Sequence, residues 1–200
     1  MDTLHLARRG GGAAPYAPSL TRAAGVVIIS LSGGAALLPF LSPNSGTITI
    51  GLLLLLAGIV EMFAASLRGE LRGHATLAGA TTAVAGLLFL FNAGGELLSN
   101  ISVVAAWLLA RAGILFLTSL LSSGSVRMWT RISALTDLGL GLALVAGFSV
   151  VGLVVTLFGP APEIVASFAW VLALSFVATG ALLMEVGSCE SRPDPQIRSA

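Results

Sequence analysis

The sequence predicts an all-α, polytopic membrane protein with six transmembrane helices arranged as three tandem hairpins. Of its 200 residues 56% are hydrophobic and only 10% are charged, whereas soluble domains are about 25% charged. Several apolar runs approach the ~20 residues that cross a bilayer as a helix. A transmembrane β-barrel would show alternating segments, and runs such as "GLLLLLAGIV" do not alternate. We therefore expect helices, which pair every backbone group inside lipid.

Six apolar segments define the predicted helices. They cover residues 23–40, 46–67, 75–92, 101–122, 130–156 and 164–186. The first and third are short for a full crossing and need flanking residues to complete it. The fifth is longer than a crossing needs, so its outer end is expected to break before the "GP" pair at 159–160.

Polar segments flank the predicted membrane domain, which covers residues 22–187. Residues 1–21 are rich in glycine, proline and charge, and residues 188–200 are polar with two prolines. We expect both to be tails. Arginines followed by an apolar run resemble a signal peptide, but no convincing cleavage site follows, so the first run is predicted to be an uncleaved helix.

The arginines fall at alternate ends of the six segments. Nine of the ten lie before the first segment, between the second and third, between the fourth and fifth, or after the sixth. They are Arg8, Arg9, Arg22, Arg68, Arg72, Arg127, Arg131, Arg192 and Arg198. The other three connections, near "FLSPNSG", "AGGELLSN" and "GPAPEI", contain none. Because cytoplasmic loops carry the excess of basic residues, both termini are predicted to be cytoplasmic.

An internal repeat supports the hairpins. In "GLLLLLAGIVEMFAASL" and "AWLLARAGILFLTSLL", Gly58 and Gly113 align at an offset of 55 residues, each preceded by alanine and followed by isoleucine. "AWVLALSFVATGALL" at 169–183 resembles a third copy. The repeat predicts hairpins at about 22–69, 73–124 and 127–187.

The segment "LLPFLSPNSGTITIGLLLLLAGIVEMFAASLRG" at 37–69, with a proline closing the first helix and a small-residue second helix, resembles the HdeD-like acid-resistance membrane proteins. Trp129 and Asp137 near the fifth segment, and the two later hairpins, also fit, so the resemblance covers about residues 22–187. It implies a bacterial inner-membrane protein associated with survival at low pH. It supplies no catalytic residue.

Small residues mark the faces where the helices are expected to pack, because close backbone approach replaces the hydrophobic drive inside lipid. The candidate packing residues are Gly51, Gly58, Gly113, Gly139, Ala143 and Gly147. The last three are spaced by four, and Gly79 and Gly86 repeat the spacing of seven found in the second segment. Two interpretations stay open, namely packing within the chain and a homodimer seam.

Arg111 lies in the middle of the fourth segment. An arginine at the bilayer centre costs about 2.5–3.5 kcal/mol on insertion scales, so it should find a partner or water. The candidates are Glu61 and Asp137, each six or seven residues from a predicted cytoplasmic arginine, Arg68 or Arg131. Because side chains lean toward the helix N-terminus, Glu61 is the slightly better placed partner, and a cluster of all three is the alternative.

Three interpretations of this cluster remain open. It is a structural link between hairpins, or Arg111 reaches the outer headgroups or a wet crevice, or the cluster belongs to a proton- or ion-linked path, since ionisable residues inside membranes are functional candidates.

The remaining chemistry-bearing patterns are weak. No Cys/His/Asp spacing suits zinc, a Walker A loop is impossible without lysine, and a net charge of +1 does not favour nucleic-acid binding. We therefore expect no cofactor, no metal, no nucleic-acid partner and no enzymatic activity. The expected partners are the lipid bilayer and either a homo-oligomer or a larger membrane complex.

Three functions follow from the sequence. The first is a non-enzymatic inner-membrane protein of the HdeD type in acid or envelope stress. The second is an accessory subunit that packs against a larger membrane complex. The third is a small proton-linked transporter or channel.

Overall fold

The computed structural model describes residues 17–41, 46–68, 71–91, 99–147 and 163–190, in which all regular structure is helical. Six helices occur there. They are α1 (Ala17–Leu41), α2 (Gly46–Ser66), α3 (Arg72–Phe91), α4 (Asn100–Leu121), α5 (Gly124–Val145) and α6 (Glu163–Glu190). The predictions for most of both tails, for the outer connections and for the segment after residue 147 lie outside these residues.

Most helix boundaries agree with the predicted segments to within a few residues. α1 is an exception, because it begins at Ala17 and so includes part of the predicted tail 1–21. Thr21 is fully buried there and its hydroxyl donates to Ala17 O. Residues 17–21 are therefore helical and in part buried, and α1 begins about one helical turn before the predicted end of the tail.

α5 differs most from its predicted segment, 130–156. It begins at Gly124, after the extended residue Ser123, and ends at Val145. Gly147 follows with φ 71°, and its N–H donates to Leu144 O. A glycine in the left-handed region commonly terminates a helix, because it can reverse the backbone without a Cβ clash. The apolar pattern therefore continues past the point at which the backbone leaves the helix.

Five of the described helices, all except α5, are long and apolar enough to cross a membrane. Large apolar side chains also cover the outside of the bundle, and Leu56, Phe63, Leu117 and Leu135 are each at least half exposed. Contiguous apolar surface of this kind is rare on soluble monomers. Length, composition and surface are thus consistent with a multi-pass helical membrane protein.

The helices form a closed ring in which each contacts its sequence neighbours and α6 returns to α1. The most extensive contacts join α2 to α3, α4 to α5 and α1 to α6. The predicted hairpins instead paired α1 with α2, α3 with α4 and α5 with α6. Those pairs are in contact too, but among the described residues less extensively than the pairs formed across the other connections.

Glycines explain the close pairing of α2 with α3. A Cβ on Gly79 would lie 3.0 Å from Gly58 O, and a Cβ on Gly86 would lie 2.8 Å from Gly51 O. A Cβ on Gly58 would collide with the backbone of Ala83. The two pairs spaced by seven therefore form one seam, at which the two backbones approach as closely as small residues permit.

A second seam of this type joins α1 to α6 and was not predicted from the sequence. A Cβ on Gly25 would lie 2.8 Å from Gly180 O, and a Cβ on Gly180 would lie 2.8 Å from Gly25 O. The two backbones are therefore in direct contact. The pair is 155 residues apart in the chain, so no local spacing marks it.

Of the other candidate packing residues, the three glycines meet no described neighbour with an added Cβ. Gly113 and Gly139 are exposed, with no atom of another described element within 4 Å of an added Cβ. Gly147 lies beyond the end of α5, and Ala143 is partly buried. For Gly113 and Gly139, the described residues therefore provide no partner for packing within the chain. The repeat also aligned two glycines, at 58 and 113, that have opposite environments.

Two apolar clusters lie along the bundle axis. The larger includes Leu54, Val104, Leu108 and Leu172. We call the end of the bundle near Arg22, Arg68, Arg72 and Arg127 its arginine-rich end. The smaller cluster lies toward this end and consists of Ala78, Leu115, Ala134, Leu182 and Val186. On α3, α4 and α6 the buried residues Thr82, Arg111 and Thr179 lie between members of the two clusters and form a polar layer. The larger cluster also includes Ala64 and Leu183, on the arginine-rich side of this layer.

Candidate functional site

Arg111 is at the centre of this polar layer. It is the largest fully buried side chain among the described residues, with 1% of its surface exposed. This burial argues against the interpretation in which Arg111 reaches the outer headgroups or lines a wet crevice. A buried charge is retained only when it is paired and hydrogen-bonded, so its partners determine what the site can do.

Both predicted carboxylates meet the guanidinium. Arg111 Nη2 lies 3.0 Å from Glu61 Oε1, and Arg111 Nε lies 3.3 Å from Asp137 Oδ2. Glu61 is 6% exposed and Asp137 is fully buried. The contact with Glu61, the slightly favoured partner, is the shorter of the two. Because Asp137 also contacts Arg111, the structure has the predicted alternative, a cluster of all three residues.

Two threonines accept further hydrogen bonds from the guanidinium. Arg111 Nη1 donates to Thr82 Oγ1 on α3 at 3.3 Å, and Nη2 donates to Thr179 Oγ1 on α6 at 2.5 Å. Thr82 Oγ1 also accepts from Trp107 Nε1 at 3.2 Å and donates to Ala78 O at 3.1 Å. Its two lone pairs and one proton are thereby all used.

Asp137 is tied to α6 as well. Ser175 Oγ donates to Asp137 Oδ1 at 2.6 Å, and Thr179 Oγ1 donates to Ser175 O at 2.8 Å. Counting the helix that carries Arg111, the network therefore joins α2, α3, α4, α5 and α6.

Four buried polar atoms in and beside the cluster have no hydrogen-bond partner in the described residues. They are Glu61 Oε1, Arg111 Nε, Asp137 Oδ2 and Ser133 Oγ. The first three make ion contacts whose geometry is not that of a hydrogen bond. Ser133 lies one helical turn before Asp137 on α5 and is fully buried. Buried polar atoms of this kind commonly bind internal water.

A partly open cavity of about 370 Å³ lies beside the cluster, toward the arginine-rich ends of the helices. Its residues come from the end of α2, the start of α3, the α4–α5 turn and the last part of α6, and Arg68, Thr130 and Cys189 are among them. Leu115 and Leu182 form its wall on the side of the cluster. Leu115 is four residues after Arg111, and Leu182 is three after Thr179, so about one helical turn separates cavity and cluster.

Sequence analysis missed the uncharged members of the site, namely Thr82, Trp107, Ser175, Thr179 and Ser133. Hydroxyl residues inside apolar helices often bond to their own backbone, and nothing in one sequence indicates which of them also meet a neighbour. The sequence offered one indication that these residues could join the site, namely their position in the middle parts of their segments, near the depth of Arg111.

The arrangement holds charges in place and can bind a proton. No group of three His, Cys, Asp or Glu side chains in the described ranges could hold a metal ion. The polar groups of the cluster face one another rather than an open cleft. The geometry therefore assigns neither a metal nor a cofactor to these residues.

Comparison with known proteins adds no family to this geometry. No family model, no curated protein and no solved structure matches the chain.

Proposed function

We propose that this chain is a non-enzymatic, multi-pass protein of the bacterial inner membrane that acts in acid or envelope stress, as its resemblance to HdeD-like proteins implies. The observation that supports this most is the distribution of polarity, with apolar side chains outside and the Arg111 ion cluster sealed inside. Such a distribution suits lipid around the bundle. It also gives the buried charges a structural role.

The cluster supports a role that depends on the shape of the bundle rather than on bond-making chemistry. Arg111 contacts side chains from four other helices. Removing one partner of a buried ion pair typically costs about 3–5 kcal/mol, which is a large part of the 5–15 kcal/mol that holds an ordinary domain folded. The first of the three interpretations, a link between helices, is the one that this geometry favours.

The proposed orientation places the arginine-rich helix ends and both termini in the cytoplasm. Two exposed serines at opposite ends of α4, Ser99 and Ser123, form a matched pair for testing it, because each precedes a helix. In a Cys189→Ser background, Ser99→Cys should react with an impermeant maleimide added to intact cells, and Ser123→Cys should react only after lysis. The opposite result would reverse the orientation.

The stress role is tested by survival of a deletion strain at low pH. Wild type should restore survival, and so should Gly113→Ala, which alters an exposed helix face with no described neighbour. Arg111→Met should fail to restore survival although the protein reaches the membrane. Equal survival of the parent and the deletion strain would contradict the proposal.

One observation favours the second candidate, an accessory subunit. α5 is long enough to span a membrane but not apolar enough, and its small-residue stripe includes the exposed Gly139, which has no described neighbour. A partner covering this face would explain both features. Gentle purification in nanodiscs followed by native mass spectrometry should then show a stoichiometric second subunit, and a mass equal to the chain alone would leave the first proposal standing.

A further inference from the structure

We propose that Asp137 is a proton-binding site which water reaches from the arginine-rich end of the bundle only, through the cavity and past Thr130 and Ser133. This assignment goes beyond the stress role and does not depend on it. It also requires no passage of protons across the whole membrane.

Charge balance is the first argument. The cluster contains two carboxylates and one guanidinium, all nine-tenths or more buried. With both carboxylates ionised, one negative charge remains uncompensated between two apolar layers, which is costly. A hydronium ion that transfers its proton to one carboxylate oxygen leaves a neutral carboxyl group and a water molecule, and nothing is oxidised or reduced.

The polar atoms on α5 favour Asp137, rather than Glu61, as the carboxylate that binds the proton. Asp137 Oδ1 accepts from Ser175, whereas Oδ2 contacts Arg111 Nε without hydrogen-bond geometry. Ser133 lies four residues earlier, and its buried Oγ has no partner among the described residues. Thr130, three residues earlier again, lines the cavity. Residues three and four apart share a helix face, so the three side chains form a polar line from cavity to cluster.

The apolar barrier that separates the ion cluster from water is thinner on one side of the cluster than on the other. Toward the cavity the barrier is about one helical turn, formed mainly by Leu115 and Leu182. On the other side lies the larger apolar cluster, in which Leu54, Leu108 and Leu172 are completely buried. A second cavity of about 320 Å³ reaches Trp107 and Ala110, but all its lining residues belong to α3 and α4 and none to α5, which carries Asp137. Among the described residues, the shorter apolar distance from a cavity to Asp137 is therefore the one from the arginine-rich end.

The groups around Asp137 suit the binding of a proton better than the binding of a metal cation. Arg111 already lies between the two carboxylates, and the hydroxyls of Thr82 and Thr179 are engaged with it. Most further titratable or charged groups on the helices lie toward their arginine-rich ends, including Cys189 in the cavity and Glu190 at the end of α6, whereas Glu163 begins α6 at the opposite end. The others at the arginine-rich ends are Arg22 on α1, Arg68 after α2, Arg72 and His74 on α3, Arg127 and Arg131 on α5, and Glu185 on α6.

Infrared spectroscopy of the protein in nanodiscs tests for the bound proton. Wild type should show the C=O stretch of a protonated carboxyl group at acidic pH, with the expected shift in D₂O. Asp137→Asn should lose this band, and Glu185→Gln, a matched change outside the cluster, should keep it. Absence of the band in folded wild type over the whole accessible pH range would overturn the proposal. Replacement of the band by added Na⁺ at constant pH would overturn it too, since it would indicate a cation site.

The access route is tested by the rate at which this carboxyl group exchanges in D₂O. Leu115→Ser, on the cavity side, should speed exchange by at least about tenfold, equivalent to ~1.4 kcal/mol of barrier, and Leu172→Ser, on the sealed side, should not. Ser133→Ala removes only one oxygen, so it should fold even if the other variants do not, and it should slow exchange. Equal acceleration by both leucine changes, or an unchanged rate in Ser133→Ala, would contradict one-sided access.

Discussion

Gly58 and Gly113 occupy equivalent positions in the sequence repeat, yet their replacement by alanine should change stability in opposite directions. A Cβ at Gly58 would collide with Ala83 N and lie 2.7 Å from Gly79 O, and both atoms belong to the backbone of α3. Backbone cannot swing aside as a flexible side chain can, so α2 and α3 must separate. Overpacking of this kind typically costs about 1–3 kcal/mol. At Gly113 an added Cβ meets no described atom within 4 Å, and replacing glycine by alanine inside a helix gains about 0.5–1 kcal/mol.

The two variants should therefore differ in free energy of unfolding by about 1.5–4 kcal/mol. The measurement is reversible unfolding in mixed micelles, titrated with a denaturing detergent and followed by fluorescence of the tryptophans, of which Trp107 is buried. Gly79→Ala, on the facing side of the same seam, should behave like the Gly58 variant. Equal effects at positions 58 and 113 would refute the assignment of the α2–α3 seam and would favour the symmetric interpretation of the repeat.

Further predictions concern the ion cluster and the outer face. Arg111→Met should lower the free energy of unfolding by about 3–5 kcal/mol, and combining it with amide replacements of both carboxylates should recover most of the loss, because no buried charge then remains. No recovery in the combined variant would refute the pairing. Thr82→Val removes the acceptor shared by two buried donors and should cost about 1–3 kcal/mol. Thr81→Val, whose hydroxyl bonds only to its own helix, should be nearly neutral, and a similar cost for both would contradict the shared acceptor. Ala143→Ile should leave unfolding of the monomer nearly unchanged but lower any oligomer mass in native mass spectrometry, and an unchanged oligomer would exclude this face as a seam.

The sequence was sufficient for the properties that composition and spacing control. Long apolar runs predicted helices of almost the observed bounds, since a helix inside lipid must satisfy its own backbone and so depends on local residues. Spacing also predicted which glycines could pack in α2 and α3, because residues seven apart lie on one helix face. Where helices end is decided by single backbone conformations, and the left-handed Gly147 ends α5 where the apolar pattern does not.

Choice of partner was beyond the sequence. An arginine in an apolar solvent is costly, so the sequence predicted a carboxylate partner for Arg111. The depth of the side chains limited the candidates to Glu61 and Asp137. Only tertiary packing determined that both contact Arg111. The threonines that complete its hydrogen bonds come from helices 29 and 68 residues away in the chain.

Sequence by itself thus determined the solvent that each segment prefers and the need of a buried charge for compensation, because both follow from the side chain and its immediate neighbours. Tertiary structure alone decided that α2 pairs most closely with α3 rather than α1, that Gly113 faces outward, and that a cavity ends one turn from the ion cluster. Those features depend on how helices rotate about their axes and against one another. Rotation is set by the sum of many contacts between distant residues, which no local pattern records.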